Sequence, residues 1–356
     1  MIHLCTLFDS NYLDRGLTMY NSLEQVCPAF HLYVFAFDSK CYEVLVKMHL
    51  PYMTVISLEE FETPELLAVK PKRTRGEYCW TCSSFTIAHV LTHYHVDYCT
   101  YIDADMFFYN DPAVLLDEII TSDCQVSLVR HQFGKNSYSR HSERLNGKYC
   151  VQFNTFRNTP ESMHILSWWG EQCLNDCNSD YSNGNFGDQK YLNDWTTRFS
   201  GVHEIQHLGA GVANWNLYRY QLKDSSTFTL YDKVSKTNFP LIFFHFHGLS
   251  FNATTVNTGV YTSYGSKDKN TVDVIYSLYL KKLVKTRKFL SEKYDCSFSQ
   301  TSSHTDEQPI KTTSEKIEEK KQLCENWGFF LMVYTVLKSH FNFEKDFMPL
   351  SDFMEN

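Results

Sequence analysis

The first hundred residues alternate between short apolar runs and amphipathic stretches, and this alternation limits the fold more than any other feature of the chain. Residues 2–7, 31–36, 54–57 and 98–102 read as strands, with helices at 12–25, 42–48 and 79–93 between them. Strands separated by helices pair in parallel, because each helix carries the chain back across the sheet. The pattern predicts an α/β fold: a mixed, mostly parallel sheet flanked by helices, with a helical C-terminal extension. Later strands are expected at 126–129, 151–154 and 241–245, and a long helix at 160–176.

Ligands on such sheets gather beyond the carboxyl ends of the strands. Asp9 falls there after the first strand, and Asp103 and Asp105 after the fourth, within Tyr101-Ile102-Asp103-Ala104-Asp105-Met106-Phe107-Phe108. Charges beside buried runs are costly without a partner, and a divalent cation bridging carboxylates and phosphate oxygens is the simplest one. Asp-x-Asp alone is a weak signal, since acids also cap helices. The stretch Phe243-Phe244-His245-Phe246-His247-Gly248 adds two histidines after a late strand. Neutral imidazole suits Mn²⁺-like ions, so His245 or His247 is a candidate third ligand, with a core or loop histidine as the plainer alternative.

Three further segments qualify. Asp9-Ser10-Asn11-Tyr12 offers a carboxylate and a ring to a nucleobase, and it also suits a helix N-cap; the two roles are compatible. Arg73 and Arg75, in the basic run 70–75, suit a diphosphate through bidentate contacts, or form a solvated charge run. The glycine-punctuated loop 183–189 delivers Asp188 and Gln189 to a helix start, where capping would also explain Asp188.

Composition excludes some partners. A net charge of -8 argues against nucleic acid, which calls for clustered excess Lys and Arg. The N-terminus lacks the basic start and apolar centre of a signal peptide, so a cytoplasmic protein is expected, including one peripheral on the cytoplasmic membrane face. The 12 cysteines lie mostly in apolar runs and read as reduced core thiols; Cys79 and Cys82 have zinc spacing but no second pair.

Residues 1–251 form the expected catalytic body and 252–296 its helical continuation. The helix at 272–294 carries Lys281, Lys282, Lys285, Arg287 and Lys288, which fits either a solvated face packed on the body or an anionic membrane. Residues 297–322 are too polar to offset the entropy of ordering and read as a linker. The segment 323–356 is apolar and aromatic, expected to dock on the body or at a membrane interface; its longest apolar run, 327–337, is short of the roughly 20 residues a span needs.

In their order along the chain, these motifs resemble the nucleotide-diphospho-sugar transferases of the GT-A (Rossmann-like) fold, and more narrowly are similar to glycosyltransferase family 8, over residues 1 to about 250. The family's Asp-x-Asn-Tyr-like nucleobase segment is matched by Asp9, Asn11 and Tyr12, its Asp-x-Asp by Asp103 and Asp105, and its His-x-x-Gly by His245 and Gly248. Asn154 and the Asp188-Gln189 pair stand where the family places sugar-contacting residues. The resemblance implies Mn²⁺ or Mg²⁺ on Asp103, Asp105 and His245, a UDP-sugar donor, a glycan or lipid-linked acceptor, and retention. Asp188 would orient sugar hydroxyls and Gln189 face the anomeric carbon; Asp188 as the base of an inverting enzyme stays open. Where the family has Lys-Pro-Trp, with the lysine on the phosphates, this chain has Leu249-Ser250-Phe251, which shifts that role to Arg75 or Arg73. The rival readings are a metal-dependent phosphohydrolase and a non-catalytic glycan-binding or scaffold protein of the same fold.

Overall fold

The computed structural model describes residues 1–298, apart from 182, 253 and 261, together with 347–354. In chain order the strands that matter for the site are β1 (Ile2–Phe8), β2 (Phe30–Ala36), β3 (Met53–Ser57), β4 (Tyr98–Ile102), β5 (Met106–Phe108), β6 (Val126–Arg130), β7 (Tyr149–Arg157) and β8 (Val202–Glu204). All but β5 form a 7-stranded sheet in the order β3-β2-β1-β4-β7-β6-β8. β7 runs against both of its neighbours, and the other six strands are parallel to one another. The expected fold class, a mostly parallel sheet flanked by helices, is the one observed.

Helices cover both faces. Leu13–Val26 packs on one, with Leu17, Met19, Tyr20 and Leu23 buried against Leu4, Leu32 and Val34. On the other lie Arg75–His93 and Pro160–Asn175, burying Ile87, Val90, Ile165, Leu166 and Trp169. The helix Arg75–His93 opens on a capping box: the Glu77 amide donates to Thr74 Oγ1 (3.4 Å) while Glu77 Oε2 accepts from the Thr74 amide (2.9 Å). The other oxygen of Glu77 accepts from the Ser179 amide at 2.7 Å, which ties the loop leading to Asp188 to the helix start.

Several elements are not among those expected from the sequence. The helix Ser137–Asn146 has no apolar stripe; the Asn136 side chain caps it by accepting from the Ser139 amide at 2.7 Å. A meander of Tyr220–Asp224, Thr229–Asp232 and Thr237–Pro240 also appears, its turn held by buried Asp232, which accepts from Arg219 at 2.6 and 2.7 Å.

The helix Lys269–Tyr294 packs on the body through Ile275, Tyr276, Tyr279, Leu280 and Leu283, with Tyr279 stacked on Phe246 at 3.7 Å between ring centroids. Its Arg287 pairs with buried Asp14, while Lys281, Lys285 and Lys288 are exposed. The strand Phe347–Pro349 adds to Thr255–Asn257, and Phe353 is buried, so the described end of the apolar C-terminal segment lies on the body. Most of the expected linker, and the run 327–337, fall outside the described residues. No described helix is long and apolar enough to cross a membrane. The described cysteines are free thiols.

Candidate active site

The chain leaves β4 through Asp103, Ala104 and Asp105 and enters β5, which turns away from the main sheet and pairs antiparallel with Phe243–His245. Their register sets His245 opposite Met106, and the Phe246 amide donates to the Asp105 carbonyl at 2.9 Å. This pairing carries the histidine to the aspartates. His245 Nε2 lies 3.0 Å from Asp105 Oδ1 and 3.7 Å from Asp103 Oδ2. Asp105, His245 and His247 each offer a ligand atom, all within 4.8 Å of one another, so both candidate histidines reach the acid.

The loop carrying His247 is pinned from behind. Asn214 Nδ2 donates to the His247 carbonyl at 2.6 Å and to the Gly259 carbonyl at 2.9 Å. Gly248 has φ +73, which favours glycine, and a Cβ on Gly259 would meet the His247 carbonyl oxygen at 2.6 Å. Trp215 stands edge-on to His245 (5.3 Å between centroids), its Nε1 donating to the His131 carbonyl at 2.8 Å.

Burial pushes the Asp103 carboxyl up to about 8, with Asp105 and Asp188 adding to the rise and His245 opposing it. Asp105 shows the opposite balance: against the upward push of burial, His245, His247 and Arg15 hold it well below the usual carboxylate range. For His245, burial acts downward, but Asp105 and Asp103 win and raise it. Half-buried acids crowded in this way call for a positive charge, and a divalent cation supplies it. The polar surroundings point the same way: Gln152 Nε2 and both amide atoms of Asn154 are buried without a hydrogen-bond partner among the described residues.

Asp9 sits at the end of β1, its Oδ1 accepting from the Asn11 (2.8 Å) and Tyr12 (3.2 Å) amides. The following helix is capped by Tyr12 without any side-chain hydrogen bond, so Asp9 organises the turn before the helix rather than capping it. Arg75 bridges two acids: its Nε lies 2.7 Å from Asp9 and its Nη2 3.3 Å from Asp38, at the ends of β1 and β2.

Arg73 is placed elsewhere. Its Nη1 donates to Asn178 Oδ1 at 2.9 Å and its Nη2 to the Cys173 and Leu174 carbonyls, each at 3.3 Å. It closes the C-terminal turn of Pro160–Asn175, whose last carbonyls have no intrahelical donor, and that engagement does not fit the expected phosphate role. Arg73→Ala is expected to cost about 1–2 kcal/mol of stability in urea unfolding while leaving nucleotide affinity unchanged; a tenfold loss of that affinity would contradict this placement.

Asp188 is buried, and burial pushes it up to about 7 against the opposing hydrogen bond from Ser83. Its carbonyl accepts from Trp169 Nε1 at 3.0 Å, and Gln189 Nε2 donates to the Asn146 carbonyl at 2.7 Å. Two residues that the sequence reading did not single out belong to this neighbourhood. Gln152, one same-face step from Asn154 on β7, accepts from His245. Arg15, 7% exposed, donates to the Leu249 carbonyl at 3.1 Å and lies 4.6 Å from the Tyr12 ring centroid. The second-residue spacing along β7 was a usable signal for Gln152; Arg15 gave none beyond its position in the first helical turn.

The fold and site define an α/β protein with an acid and histidine cluster at the carboxyl edge of its parallel strands. No protein-family model matches the chain. It is 31% identical to the uncharacterized protein YfnD of Bacillus subtilis (strain 168) over 281 residues, covering 78% of this chain and 87% of YfnD. It is also 31% identical to YfnF of the same strain, over 68% of this chain and 80% of YfnF. The chain belongs to the family of these two proteins. Among solved structures it is similar to the galactosyltransferase LgtC in complex with donor and acceptor sugar analogs, at 14% identity and a TM-score of 0.47, covering 78% of this chain and 96% of that one.

Proposed function

We propose that the chain is a metal-dependent glycosyltransferase that moves a sugar from a UDP-sugar donor to a glycan or lipid-linked acceptor, with retention. One observation carries the reading: Asp103, Asp105 and His245 converge at the carboxyl edge of the sheet, and on β7, one same-face step from the Gln152 that bonds His245, Asn154 keeps a buried carboxamide with no partner among the described residues. Carboxylate oxygens with imidazole suit Mn²⁺ or Mg²⁺; Asp105, His245 and His247 offer ligand atoms within 4.8 Å of one another, and Asp103, 3.7 Å from His245 Nε2, would join them in holding the ion. When bound, the ion supplies Lewis-acid neutralisation of the charge developing on the departing diphosphate.

The protein's own groups do the rest. Asp9 and Asn11 hold the base by hydrogen bonds and Tyr12 by its ring, with Arg75 keeping Asp9 in place at 2.7 Å. Asn154 both donates and accepts, so it matches a sugar hydroxyl. Asp188, pushed up to about 7, is able to give or take a hydroxyl proton near neutrality. Gln189 commits its amide nitrogen to Asn146 and keeps its amide oxygen for the sugar. Held in a buried site, these groups need little reorganisation as charge develops. The reaction is assigned to the cytoplasm, with a lipid-linked acceptor met at the cytoplasmic membrane face.

The test is thermal unfolding with UDP, GDP, CDP and ADP, each with and without Mn²⁺. UDP with Mn²⁺ is expected to raise the midpoint, by the equivalent of about 2.7 kcal/mol at a ligand concentration 100 times Kd, and UDP without the metal much less. A chain indifferent to all four diphosphates with the metal present would sink the proposal.

A further inference from the structure

Gln152 stands at the junction of the acid turn and the histidine strand. It is fully buried on β7, its backbone carbonyl accepts from the Asp103 amide at 3.4 Å, and its Oε1 lies 2.7 Å from His245 Nδ1. An amide oxygen only accepts, so Nδ1 must carry the proton. The other ring nitrogen, Nε2, faces Asp105 at 3.0 Å and Asp103 at 3.7 Å; a cation bound there would displace its proton, and Nε2 is then the only His245 atom able to offer a lone pair. The carboxamide is confined as well as bonded. A Cβ at Gly211 would lie 3.3 Å from Gln152 Nε2 and 2.6 Å from Val129 Cγ1, so a glycine there leaves the space that Gln152 occupies.

We propose that Gln152 is the positioning residue of the cation site: it fixes the tautomer and ring orientation of His245, so that Nε2 is the ligand atom. This rests on the metal-site reading given under Proposed function. The physical basis is general: a ligating imidazole holds its ring through the hydrogen bond that its second nitrogen donates, and losing that partner typically weakens metal binding by roughly 10- to 100-fold.

The test is calorimetric titration of Mn²⁺ into the wild type, His245→Ala, Gln152→Leu and Gln152→Glu, without nucleotide. Gln152→Leu keeps similar bulk and removes the acceptor, so a loss of roughly 10- to 100-fold in Mn²⁺ affinity is expected. Gln152→Glu restores an oxygen acceptor and is expected to bind Mn²⁺ at least as tightly as the wild type. A merely structural role would weaken both variants alike, and that result overturns the proposal, as does a Gln152→Leu variant with undiminished affinity. A wild type that takes up no Mn²⁺, or a His245→Ala variant that binds it equally well, overturns the metal-site reading itself. Nitrogen NMR of the His245 ring in the Mg²⁺-loaded wild type gives a measurement that needs no Gln152 variant to fold. A proton on Nδ1 is expected, and a proton on Nε2 refutes the assignment.

Discussion

Asp105→Ala is expected to lower metal-dependent sugar transfer by about 100- to 1,000-fold, on the scale seen when one preorganised charge-stabilising group is removed from an active site. The carboxylate lies 3.0 Å from His245 Nε2 and within 4.8 Å of the ligand atoms of both histidines, so it is the acid through which the cluster closes. Its loss should also remove the Mn²⁺-dependent part of the thermal shift with UDP. The fold should survive, because Asp105 lies in the turn between β4 and β5, where no strand-ladder hydrogen bond depends on its side chain. Asp105→Asn, of the same size without the charge, separates electrostatics from shape and is expected to fail similarly. Full turnover in Asp105→Ala with Mn²⁺ still bound would show that the cation sits elsewhere.

A large stability effect is expected at a buried charge cluster next to the site, one that touches no substrate. Asp14, in the first turn of Leu13–Val26, is 0% exposed, with Arg287 of the C-terminal helix and Arg15 as its charged partners. The Arg287 guanidinium carbon also lies 3.8 Å from the Phe251 ring centroid, which joins this helix to the segment following the histidines. Asp14→Ala leaves two largely buried cations without their counter-charge and should cost about 3–5 kcal/mol in urea unfolding. Substituting Asp14 and Arg287 together by apolar residues of similar volume should recover only part of that, since it removes the unpaired Arg287 charge but leaves buried Arg15 without its counter-charge. A loss below about 1 kcal/mol in Asp14→Ala would mean that water reaches this pair and screens it.

The hydrophobic pattern marked β1 to β4 and the longer helices between them: β1, β2 and β4 are apolar runs buried on both faces, and the helices repeat apolar residues along the face they bury. The helix Ser137–Asn146 escaped notice for the converse reason: its buried residues are Ser139 and Ser142, and its cap is polar. β5 was also missed, since three residues cannot display a period, and its pairing with Phe243–His245 joins segments far apart in the chain. Arg73 and Arg75 looked equivalent as neighbours in one basic run. The structure sends one to a helix end and the other to the acids at the ends of β1 and β2.

What the sequence determined by itself was local. The alternation of apolar runs and amphipathic helices sets the α/β class, and a carboxylate directly after a strand lies at the sheet edge whatever the rest of the chain does, which is why Asp9, Asp103 and Asp105 were legible. Convergence belongs to the tertiary fold: the meeting of His245 and His247 with Asp105, the separate fates of Arg73 and Arg75, and the hydrogen bond from His245 to Gln152. These depend on long-range strand register, and a shift of one residue in the pairing of β5 with Phe243–His245 would turn His245 to the opposite face of its strand.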